Sequence, residues 1–214
     1  MWTRLLWWLA LATVFVSVAR GVDLPRFWVF TAIWCGFVLY ASLAADPTLF
    51  KERLKPAAPT VDRGALRAIR VLALASIVIA VLDIDRYHWS DTVAPAVRVP
   101  AMVVFAMSMA LAVRAMVVNR FFSTAVRLQT DRGHRVVSDG PYRIIRHPGY
   151  LGMAVAAPAA TLALGSWWAL LPALAYAFLI IGRARMEDAY LQAYLDGYRE
   201  YAERVRFRLV PGLW

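Results

Sequence analysis

A chain of 214 residues with 61% hydrophobic and 18% charged side chains, and a mean hydropathy of +0.55, belongs to the membrane class and has room for one helical bundle. Its formal charge of +10 does not point to nucleic acid, because the arginines sit in loops between apolar segments and form no basic face on a polar domain. The single cysteine, Cys35, excludes disulfides within the chain and a cysteine-type metal cluster, and no metal ion is expected.

A membrane-crossing helix takes about 20 mostly apolar residues. Six segments approach that requirement: residues 5–18, 27–45, 68–82, 93–118, 150–164 and 167–181. Residues 1–21 can also be read as a signal peptide, with Arg4 before an apolar run and Ser17, Val18 and Ala19 as a cleavage context. Removing that segment would break the parity of the charge pattern, so it is expected to be a retained span. The stretch KPAAPTVD, residues 55–62, is the one linker-like segment. Arg98 and Arg114, near the ends of the fourth segment, are expected to snorkel to the headgroups. The last two segments are short and meet at Gly165 and Ser166 without a charge, which reads as a tight helical hairpin.

The charges orient these segments. Lys51, Arg53, Lys55, Arg63 and Arg67 follow the second segment, and Arg120, Arg127, Arg132, Arg135, Arg143 and Arg146 follow the fourth. Arg183, Arg185, Arg199, Arg204, Arg206 and Arg208 follow the sixth. The positive-inside rule puts these three regions on the cytoplasmic side, while Asp83, Asp85 and Asp91 against Arg86, and the uncharged turn at Gly165, belong outside. Arg20 and Arg26 are the weakest fit. The expectation is an all-α polytopic membrane protein of about six hydrophobic segments, with a short C-terminal helical hairpin and an amphipathic C-terminal helix. It divides into an N-terminal bundle, residues 1–118, and a core, residues 119–214. The excess of arginine over lysine and the abundant alanine hint at a bacterial cytoplasmic membrane.

The core carries an ordered set of polar residues. GHRVVSDGPYRIIRHPGYLG, residues 133–152, precedes the hairpin, and RARMEDAYLQAYLDGYREYAERVRFRLVP, residues 183–211, follows it. A histidine, Gly-Pro-Tyr, Arg-His-Pro-x-Tyr-x-Gly, a hairpin and then Arg-x-x-x-Glu resembles the isoprenylcysteine carboxyl methyltransferase family of integral membrane enzymes, over residues 121–211. The resemblance implies S-adenosylmethionine as cofactor, S-adenosylhomocysteine as product, and methylation of the carboxylate of a lipidated acceptor. It implies that His134, Arg135, Val136 and Val137 lie along the cofactor. Gly140, Tyr142, His147, Pro148, Gly149 and Tyr150 would shape its pocket and Glu187 would hold its polar end. Gln129 matches a family glutamine at a shorter spacing. Arg183, with Arg146, would face the substrate, and Arg183 with Glu187 would form the catalytic pair. The family often has two consecutive glutamates where this chain has Glu187 and Asp188.

The residue types suit that chemistry on their own account. A sulfonium cofactor with an adenine and a zwitterionic end wants aromatic faces and a carboxylate for its ammonium. A carboxylate acceptor is ionised near neutral pH and needs no base, only alignment and partial desolvation. Arg183 and Glu187 are four apart and project from one face of a helix. Duller readings stand beside each: Arg183 and Glu187 as an exposed helix pair, Pro148 as a helix starter, and His134 as a solvated loop residue. Tyr194, Tyr198 and Tyr201 share a helical stripe with Leu191 and read as the interfacial face of the C-terminal helix, away from any site. Two other activities remain open, a phospholipid amine methyltransferase and an NADPH-dependent sterol or enone reductase. The acceptor is expected to be a lipid or other lipophilic molecule, entering by an opening between helices near Arg183.

Overall fold

The computed structural model describes residues 25–54 and 63–214, and the first predicted segment, residues 5–18, lies outside them. The described residues form seven α-helices and no strands: α1 (Pro25–Ala44), α2 (Pro47–Leu54), α3 (Arg63–Leu82), α4 (Pro95–Val118), α5 (Pro148–Leu164), α6 (Leu170–Tyr194) and α7 (Tyr198–Arg204). Proline opens α1, α2, α4 and α5, where a missing N–H costs nothing and the fixed φ favours the first turn. Three helices, Pro25–Ala44, Gly64–Tyr87 and Pro95–Val118, are long and apolar enough to cross a membrane, and Pro148–Leu164 is a shorter apolar helix. The chain is an all-α polytopic membrane protein. Its large exposed apolar side chains, among them Leu43, Met107 and Phe178, fit surfaces that face acyl chains.

The bundle has a loop face, where residues 119–147 and the C-terminal tail meet, and a hairpin face, where the α5–α6 turn meets the segment between α3 and α4. α5 packs chiefly on α4 and then on α6, while α6 closes against α3. Small residues permit the closest approach: a Cβ on Gly152 would stand 2.6 Å from the Ser108 carbonyl oxygen, and one on Gly149 would enter the Phe122 ring. The apolar core nearer the hairpin face is built on Phe27, Phe30, Val81, Ile84, Phe105 and Leu164, with the Phe30 and Phe105 rings stacked at 4.6 Å.

At the hairpin, Gly165 takes φ of 96° and donates to Leu162, while Ser166 N–H reaches back to Thr161, the pattern that closes a helix with a left-handed glycine. The predicted hairpin is therefore present, with one correction. Its second arm does not stop at Ile181 but runs unbroken to Tyr194, so α6 carries an apolar half inside the bundle and a polar half on the loop face. Across the hairpin face, Asp83 is fully buried and accepts Ser90 N–H at 3.0 Å, Ser90 Oγ at 2.5 Å and Ser166 Oγ at 2.5 Å. That carboxylate ties the segment after α3 to the hairpin.

Candidate active site

On the loop face a cavity of about 310 Å³ lies between the 119–147 segment, α2, α3, α5, α6 and α7. The loop around it is held from several sides. Arg127 donates to both Glu52 oxygens, at 2.8 and 2.9 Å, and to Asp131, which fixes the segment to α2. Gln129 donates from Nε2 to the Phe121 carbonyl at 2.7 Å and accepts from Arg132. Its backbone N–H bonds His134 Nδ1 at 3.3 Å, which leaves the ring proton on Nε2. Burial, helped by the charges of Arg127 and Arg132, holds the His134 imidazole down to about 4, so it is neutral at physiological pH.

Of the predicted residues, His134, Arg135, Val136, Val137, Tyr142, Arg146, His147, Gly149, Tyr150, Arg183 and Glu187 line this cavity. Gln129, Gly140 and Pro148 do not: Gln129 organises the loop, Gly140 makes a left-handed turn against Val118, and Pro148 is buried at the start of α5. Tyr150 Oη donates to Glu187 Oε2 at 2.5 Å, joining the two helices of the hairpin at the site. Arg183, one turn before Glu187, is buried beneath the loop and donates to the Thr124 carbonyl. Tyr142 Oη receives Asn119 Nδ2 at 3.2 Å, and burial pushes its phenol well above the ordinary range.

Asp188 is the hub. It is fully buried and receives Arg146 at 2.7 and 3.2 Å, Gln192 at 2.8 Å, Tyr198 Oη at 3.0 Å and Arg208 Nε at 3.0 Å, with His147 Nε2 at 3.1 Å. Burial opposes its charge, yet the bonds from His147 and Arg146 prevail and hold its carboxyl below the usual range. Arg146 spends its remaining donors on the carbonyls of Val205 and Arg206, both at 2.8 Å, while Arg146 and His147 N–H bond Phe207 and Arg208. Although Arg146 lines the cavity, its guanidinium is committed to Asp188 and to strapping down the tail.

The tyrosine stripe is the second correction. Tyr194 is exposed, as expected, but α6 ends there and Gly197, at φ of 76°, turns the chain. Tyr198 and Tyr201 therefore face inward, buried, and both line the cavity, with Tyr201 Oη donating to the Tyr142 carbonyl at 2.8 Å. Arg53 also escaped the sequence reading, which counted it only as a loop charge. It lines the cavity from α2, donates to the Phe122 carbonyl at 3.2 Å and stacks over that ring. Burial, with repulsion from Arg183, keeps its guanidinium below its usual value. The cavity thus brings a carboxylate and several phenols together with the guanidiniums of Arg53 and Arg183. Its lining also includes apolar side chains, Leu66 and Ile69 of α3, Met153 of α5 and Ile180 of α6, with the ring of Tyr176.

Against curated proteins the chain finds no match. A family match does exist and spans α4, the loop, the hairpin and nearly all of α6, the elements that carry Arg183 and Glu187. Residues 96–193 match the isoprenylcysteine carboxyl methyltransferase (ICMT) family, and this ICMT family domain supports a membrane methyltransferase.

Proposed function

We propose that the chain transfers a methyl group from S-adenosylmethionine to the carboxylate of a lipophilic, membrane-embedded acceptor. The observation that carries this reading is one cavity that brings the Tyr150–Glu187 pair together with Arg53, Arg183 and apolar side chains. The cavity volume, about 310 Å³, lies within the small-molecule range of about 300–1,000 Å³. The donor set also fits the cofactor: Glu187 for an ammonium, the phenols of Tyr142 and Tyr198 for a cation and an adenine, and the 134–137 segment for its polar edge. When bound, the cofactor supplies an electrophilic methyl group on a sulfonium.

The protein's residues do the rest by position. Glu187, oriented by the Tyr150 hydroxyl, fixes the amino-acid end of the cofactor. Arg183 and Arg53 hold and partly desolvate the acceptor's carboxylate, which is ionised at neutral pH and needs no base. Leu66, Ile69, Tyr176 and Ile180 receive the apolar part of the acceptor. Arg146 acts one step away, through Asp188 and the tail. An amine acceptor would need a base free of the cofactor, such as His147 or Glu187. The guanidiniums of Arg53 and Arg183 in the cavity favour an anion over an amine as acceptor. By the positive-inside rule the loop face, and the site with it, is cytoplasmic, where a soluble cofactor reaches it; the host membrane is a bacterial cytoplasmic membrane.

The test is thermal unfolding of the detergent-purified chain with S-adenosylmethionine, S-adenosylhomocysteine or NADPH. Ligand that binds only the folded state raises the midpoint according to its affinity. The expected result is a shift with both adenosyl compounds that shrinks in Glu187→Gln and Tyr150→Phe. A shift with NADPH alone replaces this reading with a reductase.

A further inference from the structure

The hairpin face carries a second cavity, of about 230 Å³, where the first turns of α1 and α4 meet the α5–α6 turn. Its walls bring together Arg26, His88, Ser90, Asp91, Arg98 and Gly165. It lies at the opposite end of the helices from Glu187, and methyl transfer makes no use of it.

Two arginines from distant parts of the chain converge there on one turn. A Cβ on Gly165 would stand 3.2 Å from Arg98 Cδ and 3.7 Å from Arg26 Nε. Arg26 Nε donates to the Leu164 carbonyl at 2.9 Å and so caps α5. Arg98 Nε is shut off from solvent and has no hydrogen-bond partner among the described residues. A snorkelling arginine would carry its guanidinium outward, and this one is instead drawn over the turn. Among the described residues no carboxylate lies within ion-pair distance of either guanidinium: Asp91 lines the cavity and attracts Arg26 at longer range, with His88 Nδ1 at 3.4 Å from its carboxylate, and Asp83 is taken up by Ser90 and Ser166. Two like charges in a partly screened cavity repel, and an anion between them relieves that repulsion.

The surroundings identify the anion's setting. Tyr87 and Trp89 stack at 4.5 Å, and Trp89 meets Trp168 edge to face at 6.3 Å, all three exposed on the hairpin face. Exposed amphipathic rings of this kind gather at the headgroup level of a bilayer, so the cavity opens where lipid phosphates lie. The planar fork of a guanidinium matches a phosphate's oxygens.

We infer that Arg26 and Arg98 form a phosphate-binding site on the hairpin face, filled by a phospholipid headgroup or by free phosphate. The occupant ties α1, α4 and the hairpin turn together and so acts on stability. The test is thermal unfolding of the full chain, delipidated in uncharged detergent, with short-chain phosphatidylglycerol, inorganic phosphate, or a phosphate-free diacylglycerol as blank. A phosphate compound is expected to raise the midpoint by about 5 °C at saturation. That shift disappears in Arg98→Gln and survives in Arg86→Gln, an exposed arginine of the same face. Arg98→Lys, which keeps the charge and loses the fork, weakens binding about 10-fold and serves if Arg98→Gln does not fold. A shift with phosphatidylglycerol alone assigns the site to a lipid headgroup, and equal shifts with both assign it to free phosphate. No shift with either compound, or one undiminished in both Arg98→Gln and Arg98→Lys, overturns the site.

Discussion

Two fully buried carboxylates, Asp188 on the loop face and Asp83 on the hairpin face, hold the molecule together in different ways. Asp188 is surrounded by Arg146 and His147, from a segment far away in sequence, by Arg208 of the tail, and by the nearer Gln192 and Tyr198. Asp83 is met by hydroxyls and one backbone N–H, from Ser90 and Ser166. A charge held by charges couples every partner to every other, so the α6 end, the Arg-His-Pro segment and the tail form one unit around the cavity. A carboxylate held by hydroxyls joins two turns and little else. The loop face is thus built to be all or none, and the hairpin face to be locally mended.

Asp188→Ala carries the largest expected effect. It strands Arg146 without its partner, which costs about 3–5 kcal/mol for a buried pair broken from one side, and it releases the tail that brings Tyr198 and Tyr201 to the cavity. Thermal unfolding and adenosyl-compound binding should fail together. Ser166→Ala, by contrast, removes one of several donors to Asp83 and is expected to cost about 1–3 kcal/mol while ligand binding persists. Equal losses of binding in the two variants would erase the distinction between the faces.

Acid separates two groups within the loop face. His134 has a folded value of about 4 against an ordinary 6.5, so the unfolded chain takes up its proton first. Its contribution is complete above about pH 6.5 and is lost progressively toward pH 4. Asp188, held below the carboxylate range, keeps its contribution above about pH 4 and loses it only in stronger acid. Unfolding midpoints from pH 7.5 to 4.5 should therefore fall less steeply in His134→Gln than in the wild type. The smallest effect belongs to Arg143→Ala, whose exposed pair with Asp139 at 3.2 Å should contribute under about 0.5 kcal/mol, measured by the same unfolding.

The helices were legible because long apolar runs and first-turn prolines are local signals. α6 was misjudged at Ile181 because hydropathy ends there, whereas backbone hydrogen bonding continues through Arg183, Glu187 and Asp188. Tyr198 and Tyr201 share a stripe with Tyr194 by periodicity, and only Gly197 signalled that the stripe is broken. Asp188 and Arg53 could not be read locally at all. Their partners come from residues 146, 147 and 208 in one case and 122 in the other, and no spacing along the chain announces such meetings. The ordered polar motifs did point to the right region, since most of their members face one cavity.

The unbroken α6 has a further consequence. From Leu170 at the hairpin to Arg183 the helix rises 13 residues, about 20 Å at 1.5 Å each, with no hinge between. It is a gauge fixed at the hairpin face. On the proposed reading, the depth at which an acceptor's polar end is met is set by that length and not by the lipid. A bilayer a few ångströms thicker or thinner would carry the acceptor past the mark, so membrane thickness becomes a control on turnover, exerted without any ligand.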